Sequence, residues 1–188
     1  MDYNILATTE KITMSAASSQ LWMNLRAIGD PEPKVSRSRI KGIVMAETSL
    51  DPVEAILRLR EHMESDVDRY DKLFRVFPVV ARVPTEIDAI VEEVKRQVVV
   101  IEEGQKFRIT LEKRDTDFRS LDIIDPVAAV IERDVDLKNP DWVVLIEVMG
   151  KMTGVSVMQP EGMLNVQKER YALSTKAEKG TFLGYQAG

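Results

Sequence analysis

The stretch KFRITLEKRDTDFRS, residues 106–120, opens as a strand: Phe107, Ile109 and Leu111 alternate with Lys106, Arg108 and Thr110. Alternation at period two marks a half-buried strand. Then the pattern stops, and Lys113, Arg114 and Arg119 follow among polar residues. Five cations in fifteen residues stand out in a chain whose formal net charge is -5. A charge run at a strand's end is ordinarily a solvated edge, so its meaning depends on what surrounds it.

Downstream, SLDIIDPVAAVIERDV reads as a helix. Pro126 removes a backbone donor, so the helix either starts at Asp125–Pro126 or carries a kink there. NPDWVVLIEVMGKMTGVSVMQP then reads as two strands, 141–149 and 153–159, joined by a turn at Gly150. Upstream, Ile87, Ile90, Val91, Val94 and Val98 recur at helical spacing through PTEIDAIVEEVKRQVVVIEEG. That period favours helix over strand even at the VVVI run, 98–101.

The first half has its own rhythm. YNILATT is a strand, a helix covers about 11–28, and GDPEP is a stop signal. RIKGIVMAET is a second strand. SLDPVEAILRLREHM starts a helix with Ser49 or Asp51 as cap and Pro52 in the first turn. KLFRVFPVVARV is a third strand, interrupted by Pro78 and Pro84. The order is βαβαβ, an α+β (mixed α/β) arrangement compatible with a ferredoxin-like sheet. The expected division is an N-terminal ferredoxin-like domain over 1–83, a second domain with a mixed sheet over 84–172, and a mobile tail over 173–188.

Composition excludes several chemistries. The 188 residues include no cysteine and one histidine, which removes disulfides, thiolate nucleophiles and cysteine-bound metals. His62 lies in an acidic amphipathic helix and reads as a solvated surface residue. No glycine-rich phosphate loop is present, and GKMTG, 150–154, reads as a hairpin turn. Trp22 and Trp142 sit in apolar settings and read as core. No catalytic residue, metal site or cofactor is expected. Neither a membrane span nor a signal peptide is visible, so the expected location is cytoplasmic.

Acids and bases are segregated along the chain. Residues 47–71 hold eight acids against three bases, whereas KVSRSRIK, 34–41, holds four bases and no acid. FRITLEKRDT, VDLKNPDWVVLIEVMG and TGVSV together resemble the THUMP domain of tRNA-modifying proteins, among them 4-thiouridine synthetases, pseudouridine synthases and methyltransferases. The preceding half resembles the ferredoxin-like domain that accompanies it. Most such proteins append a catalytic domain, for which these residues leave no room. The resemblance therefore implies a non-catalytic tRNA-binding adaptor that presents tRNA to a separate tRNA cytidine acetyltransferase. The candidate RNA contacts are Lys106, Arg108, Lys113, Arg114 and Arg119, extended by Arg37, Arg39 and Lys41, with Arg82 between the two groups. Structured RNA is met largely through phosphates and 2′-hydroxyls, and alternation would place Arg37, Arg39 and Lys41 on one strand face. Two alternatives remain: an RNA-binding subunit of another tRNA-modifying enzyme (thiolation or methylation), and a protein-interaction module whose acidic helices meet a basic partner.

Overall fold

A computed structural model describes residues 2–184, with side chains described through Thr175. The chain divides into two compact units, one formed by Met1–Phe77 with Met163–Gly188 and the other by Pro78–Gly162. Among the described residues no helix is long and apolar enough to cross a membrane.

The first unit contains β1 (Ile5–Thr8), α1 (Met14–Ala27), β2 (Lys34–Arg37), β3 (Ile43–Glu47), α2 (Pro52–Ser65) and β4 (Arg75–Pro78). Its sheet has the order β10-β4-β1-β3-β2, where β10 (Leu164–Asn165) is supplied by the returning chain. The arrangement is ferredoxin-like. It differs from the expected βαβαβ in an added strand: within RIKGIVMAET only Ile43–Glu47 is strand, and β2 lies before it. Residues 38–42 turn, and β2 pairs antiparallel with β3, Arg37 opposite Val44 and Lys34 opposite Glu47. Helix α2 starts where the sequence places it, with the Asp51 carboxylate accepting the Val53 and Glu54 N–H groups at 3.0 and 2.9 Å and Pro52 as first residue. Such a cap satisfies donors that the helix itself leaves open. The core joins Ile5, Ala7, Val44 and Val76 of the sheet to Leu21 and Leu25 of α1 and Ile56, Leu59 and Met63 of α2.

KLFRVFPVVARV splits into two strands. Arg75–Pro78 stays in the first sheet, and β5 (Ala81–Pro84) is an edge strand of the second. The second unit continues with α3 (Ile87–Gln97), a 3-10 turn over Val98–Val100, β6 (Lys106–Arg114), α4 (Ser120–Ala128), β7 (Asp134–Val135), β8 (Trp142–Met149) and β9 (Met152–Met158). Its mixed sheet has the order β5-β9-β8-β6-β7, with β6 parallel to β8 and β8 antiparallel to β9. Phe107, Val144, Ile146, Val148 and Val155 face Ile90 and Val94 of α3 and Ile123 and Val127 of α4. Pro126 neither starts nor splits α4; it lies near the end, two residues before Ala128, and its missing N–H forgoes one bond to the Asp122 carbonyl.

Residues 163–172, expected with the second domain, belong to the first unit. Here β10 pairs with β4, Leu164 opposite Val76, and α5 (Val166–Gly184) follows. Asn165 and Glu169 cap it reciprocally: the Asn165 side chain accepts the Lys168 N–H at 3.1 Å, and Glu169 accepts the Asn165 N–H at 3.2 Å. Arg60 of α2 fastens this return, donating to Glu169 at 2.8 Å and to the Met163 carbonyl at 2.7 Å. The expected mobile tail, 173–188, is helical in backbone through Gly184, and its side chains past Thr175 lie outside the described residues.

Candidate nucleic-acid interface

Strand β6 presents its cations in three different ways. Lys106 is exposed at the strand's start, with Nζ 4.0 Å from Asp136. Asp136 also accepts the Asn139 and Lys138 N–H groups, and these bonds hold its carboxyl below the usual range. Arg108 is half-buried and donates to the Leu137 carbonyl at 3.3 Å. Lys113 is exposed but folds back to the Phe118 carbonyl at 2.7 Å.

Arg114 is the most constrained. Its side chain keeps 20% of its surface in solvent, and Nη1 donates to Glu147 Oε2 at 2.6 Å, where Glu147 retains 2%. Register explains the pair. Glu112, Glu147, Gly154 and Arg82 form one row across β6, β8, β9 and β5, and Arg114 follows Glu112 by two residues on the same face. A buried carboxylate needs a fixed counter-charge, and Arg114 supplies it. Arg82 is half-buried in the same row and engaged within the protein.

Arg119 precedes α4 with 86% of its side chain exposed, and pairs with Asp122 at 3.1 Å. The Asp122 carboxylate also accepts the Arg119 N–H at 2.8 Å. The Arg119 guanidinium draws the Asp122 carboxyl below its ordinary range, with the backbone bond adding to it. Beside these residues an open depression of about 530 Å³ is lined by Thr85, Asp115, Asp117, Phe118, Asp122 and Lys151, among others. Three carboxylates make it a poor seat for phosphate. Among the described residues no group of three or more His, Cys, Asp or Glu could hold a metal ion.

The first unit is electrostatically different. Arg37 closes β2, and Arg39 and Lys41 lie in the 38–42 turn, not on a strand as alternation suggested. All three are exposed, and among the described residues none has a carboxylate partner. The turn is firmly built. Ser38 Oγ accepts the Ile40 N–H at 3.0 Å, and the Ser38 N–H reaches the Ile43 carbonyl at 3.0 Å. Gly42 adopts φ +83, and a Cβ there would lie 3.0 Å from the Thr9 carbonyl oxygen. The Thr9 N–H in turn donates to the Gly42 carbonyl at 3.0 Å. That bond brings the β1–α1 connection, with exposed Lys11, against the basic turn. Sequence reasoning passed over Lys11, although TTEKIT after a strand is the signal for an exposed loop cation.

Trp22 is the second residue missed. It is not core: 45% of it is exposed on α1. The buried stripe of α1 runs through Ala17, Leu21, Asn24 and Leu25, and Trp22 falls off it by helical spacing. His62 is half-buried, its Nδ1 2.9 Å from the Tyr70 hydroxyl, and Trp142 is half-buried with Nε1 donating to Gln105 at 2.7 Å.

Residues 84–158 match the family described as THUMP domain. The second unit contains a THUMP domain. An uncharacterized protein of Methanocaldococcus jannaschii is 32% identical over 141 residues, covering 72% of this chain and 36% of that protein. The chain therefore spans about a third of the length of the relative it matches. Three solved structures share the fold of the THUMP domain with its ferredoxin-like companion. PH1313 from Pyrococcus horikoshii has a TM-score of 0.56 at 18% identity, covering 84% of this chain and 55% of its own. TrmN from Thermus thermophilus has 0.55 at 20%, covering 85% and 47%. A 4-thiouridine synthetase in complex with RNA and ATP has 0.50 at 14%, covering 87% and 42%.

Proposed function

We propose that this chain binds tRNA and presents it to a tRNA-modifying activity, and that the activity is a separate acetyltransferase acting on a tRNA cytidine. The match of residues 84–158 to the THUMP domain carries the reading. The RNA bound to the 4-thiouridine synthetase, whose fold is shared, supports it. Charge geometry then selects the contact surface. Lys106, Lys113 and Arg119 of the THUMP domain stay exposed but are each engaged internally. Arg37, Arg39 and Lys41 are exposed and unpaired, so they meet phosphates without first losing a protein partner. We take this basic turn as the principal electrostatic contact and the THUMP cations as a second, separate set. In this reading the chain is non-catalytic and works in the cytoplasm.

A second reading has its own support. The matched Methanocaldococcus protein is much longer than this chain, and the fold neighbours include TrmN and a 4-thiouridine synthetase. On that reading these residues are the RNA-binding part of a thiolation or methylation system. A gel-shift titration with tRNA, with and without a candidate cytidine acetyltransferase, separates the two. The adaptor predicts a shifted tRNA complex, a further shift with the acetyltransferase, and faster acetyl transfer to tRNA. A tRNA shift with no effect on acetyl transfer favours the second reading. No tRNA shift at all removes both.

A further inference from the structure

The outer face of α1 and the basic turn are built from two segments that carry no acid of their own, although Glu47 meets Lys34 at 3.3 Å and Asp71 meets Gln20 at 2.5 Å at their margins. Residues 11–29 and 33–46 contain no aspartate or glutamate and carry six cations: Lys11, Arg26, Lys34, Arg37, Arg39 and Lys41. Nothing in the chain's overall charge of -5 favours such a segregation, and the fold packs these two segments together, α1 against β2 and β3. The exposed stripe of α1 is Ser15, Ala16, Ser19, Trp22, Met23 and Arg26. By contrast, the exposed stripe of α2 carries Asp51, Glu54, Arg58, Glu61 and Glu64. One helix shows solvent an ordinary charged face; its neighbour shows an indole beside cations.

Trp22 belongs to neither hydrophobic core. Its ring already meets a guanidinium, with Arg26 Cζ 5.9 Å from the ring centroid, and 45% of the residue remains in solvent. Arg26 is itself held by donating to the Pro31 carbonyl, so the indole's cationic neighbour is fixed in place. From Met14, beside the basic turn through the Gly42 N–H to the Met14 sulfur, Trp22 lies about 12 Å along the helix. A strand of nucleic acid crosses that distance in a few nucleotides. Cations that follow a backbone, with an aromatic ring for its bases, are the parts that single-stranded nucleic acid requires.

We propose that Trp22 is a stacking platform for an unpaired nucleotide whose neighbouring phosphates are held by Arg37, Arg39 and Lys41. This rests on the tRNA-binding reading and adds to it that the first unit engages a single-stranded part of the RNA. The exposed position makes Trp22→Ala and Trp22→Phe tolerable to the fold, which thermal unfolding checks directly. Both are titrated against unfractionated tRNA, a 12-nucleotide oligoadenylate and a blunt RNA duplex, by gel shift and by indole fluorescence.

Trp22→Ala weakens tRNA and oligoadenylate binding about tenfold, the usual effect of losing one stacked base. It leaves the blunt duplex and the salt slope of tRNA binding unchanged, and Trp22→Phe recovers most of the loss. Wild-type emission is quenched by oligoadenylate, and Trp22→Phe loses that quenching. Unchanged tRNA and oligoadenylate affinity in Trp22→Ala overturns the stacking role while leaving tRNA binding intact. An equal loss on the blunt duplex overturns it too. So does a change of sedimentation from dimer to monomer with tRNA affinity unaltered, which assigns the face to a second copy. A wild-type chain that binds no RNA overturns this inference together with the reading beneath it.

Discussion

Arg114 Nη1 donates to Glu147 Oε2 at 2.6 Å, and Arg114 Nη2 lies 3.6 Å from Glu112 Oε2. The cation that looks most available at the end of β6 is thus committed to the sheet. Its task is to neutralise a carboxylate with 2% of its surface exposed, and that separates stability from RNA binding at this position.

Arg114→Ala leaves the Glu147 carboxylate buried without the guanidinium that donates to it at 2.6 Å. Removing one partner of such a pair costs about 3 kcal/mol. Urea denaturation is expected to show that loss, while the folded fraction binds tRNA as the wild type does. A stable Arg114→Ala with weakened tRNA affinity contradicts this assignment.

Asp30 gives the first unit an acid-sensitive tie. It is buried and accepts Thr48 Oγ at 2.5 Å and Ser49 Oγ at 2.9 Å, together with the Ser49 and Glu32 N–H groups. Burial pushes its carboxyl upward, but the Thr48 and Ser49 hydroxyl bonds and the two backbone bonds outweigh it, so the net displacement is below 3.8. A depressed folded-state value makes the stabilisation complete above the unfolded value of about 3.9. It is lost as pH falls through the lower folded value. Asp30→Asn should be less stable at pH 7 and should show a shallower fall in stability between pH 5 and pH 2 (roughly the range over which a carboxylate titrates). Parallel curves for the two proteins count against it.

Arg60 and Glu169 hold the returning chain to α2. Their side chains keep only 19% and 29% of their surface in solvent, and Glu169 also caps α5 through the Asn165 N–H. Glu169→Ala removes both contacts and is expected to cost about 2 kcal/mol. Amide exchange should quicken in 163–172 and stay unchanged in β6 and β8. Uniform quickening across both units would show that the clamp is not local.

Helices α1, α2 and α3 were readable because their apolar periods and caps are local, whereas α5, much of which was expected to be a mobile tail, was not. Ile90, Val91 and Val94 fix α3, and Asp51–Pro52 fixes the start of α2. Strands β6, β8 and β9 were readable for the same reason, as Phe107, Ile109 and Leu111 alternate visibly, whereas β7 lies where the reading continued the helix of SLDIIDPVAAVIERDV. Strand β2 was not. KVSR is four residues long with charges at both ends and lies at the sheet's edge, where burial imposes little pattern. KLFRVFPVVARV is mostly apolar, with cations at Lys72, Arg75 and Arg82, and that pattern alone does not say that Pro78 marks the exchange of one sheet for another.

The cations were the least readable. Arg37 and Arg114 are identical in type, and their environments differ only through distant partners. One signal was available: Glu147 interrupts WVVLIEVM, and an acid inside so apolar a strand demands a buried base. Arg114 meets it because the β6–β8 register brings Glu112 opposite Glu147. No local pattern contains that register.

The central claim is that exposed, unpaired cations at the β2–β3 turn hold tRNA phosphates. Its most direct test is the salt dependence of tRNA affinity for the wild type and for the Arg37→Glu, Arg39→Glu, Lys41→Glu triple variant. Each lost phosphate contact lowers the slope of log affinity against log salt by about one unit. The account predicts a slope lower by about two to three units, with thermal unfolding unchanged because none of the three supports the fold. An unaltered slope in a folded triple variant would contradict it.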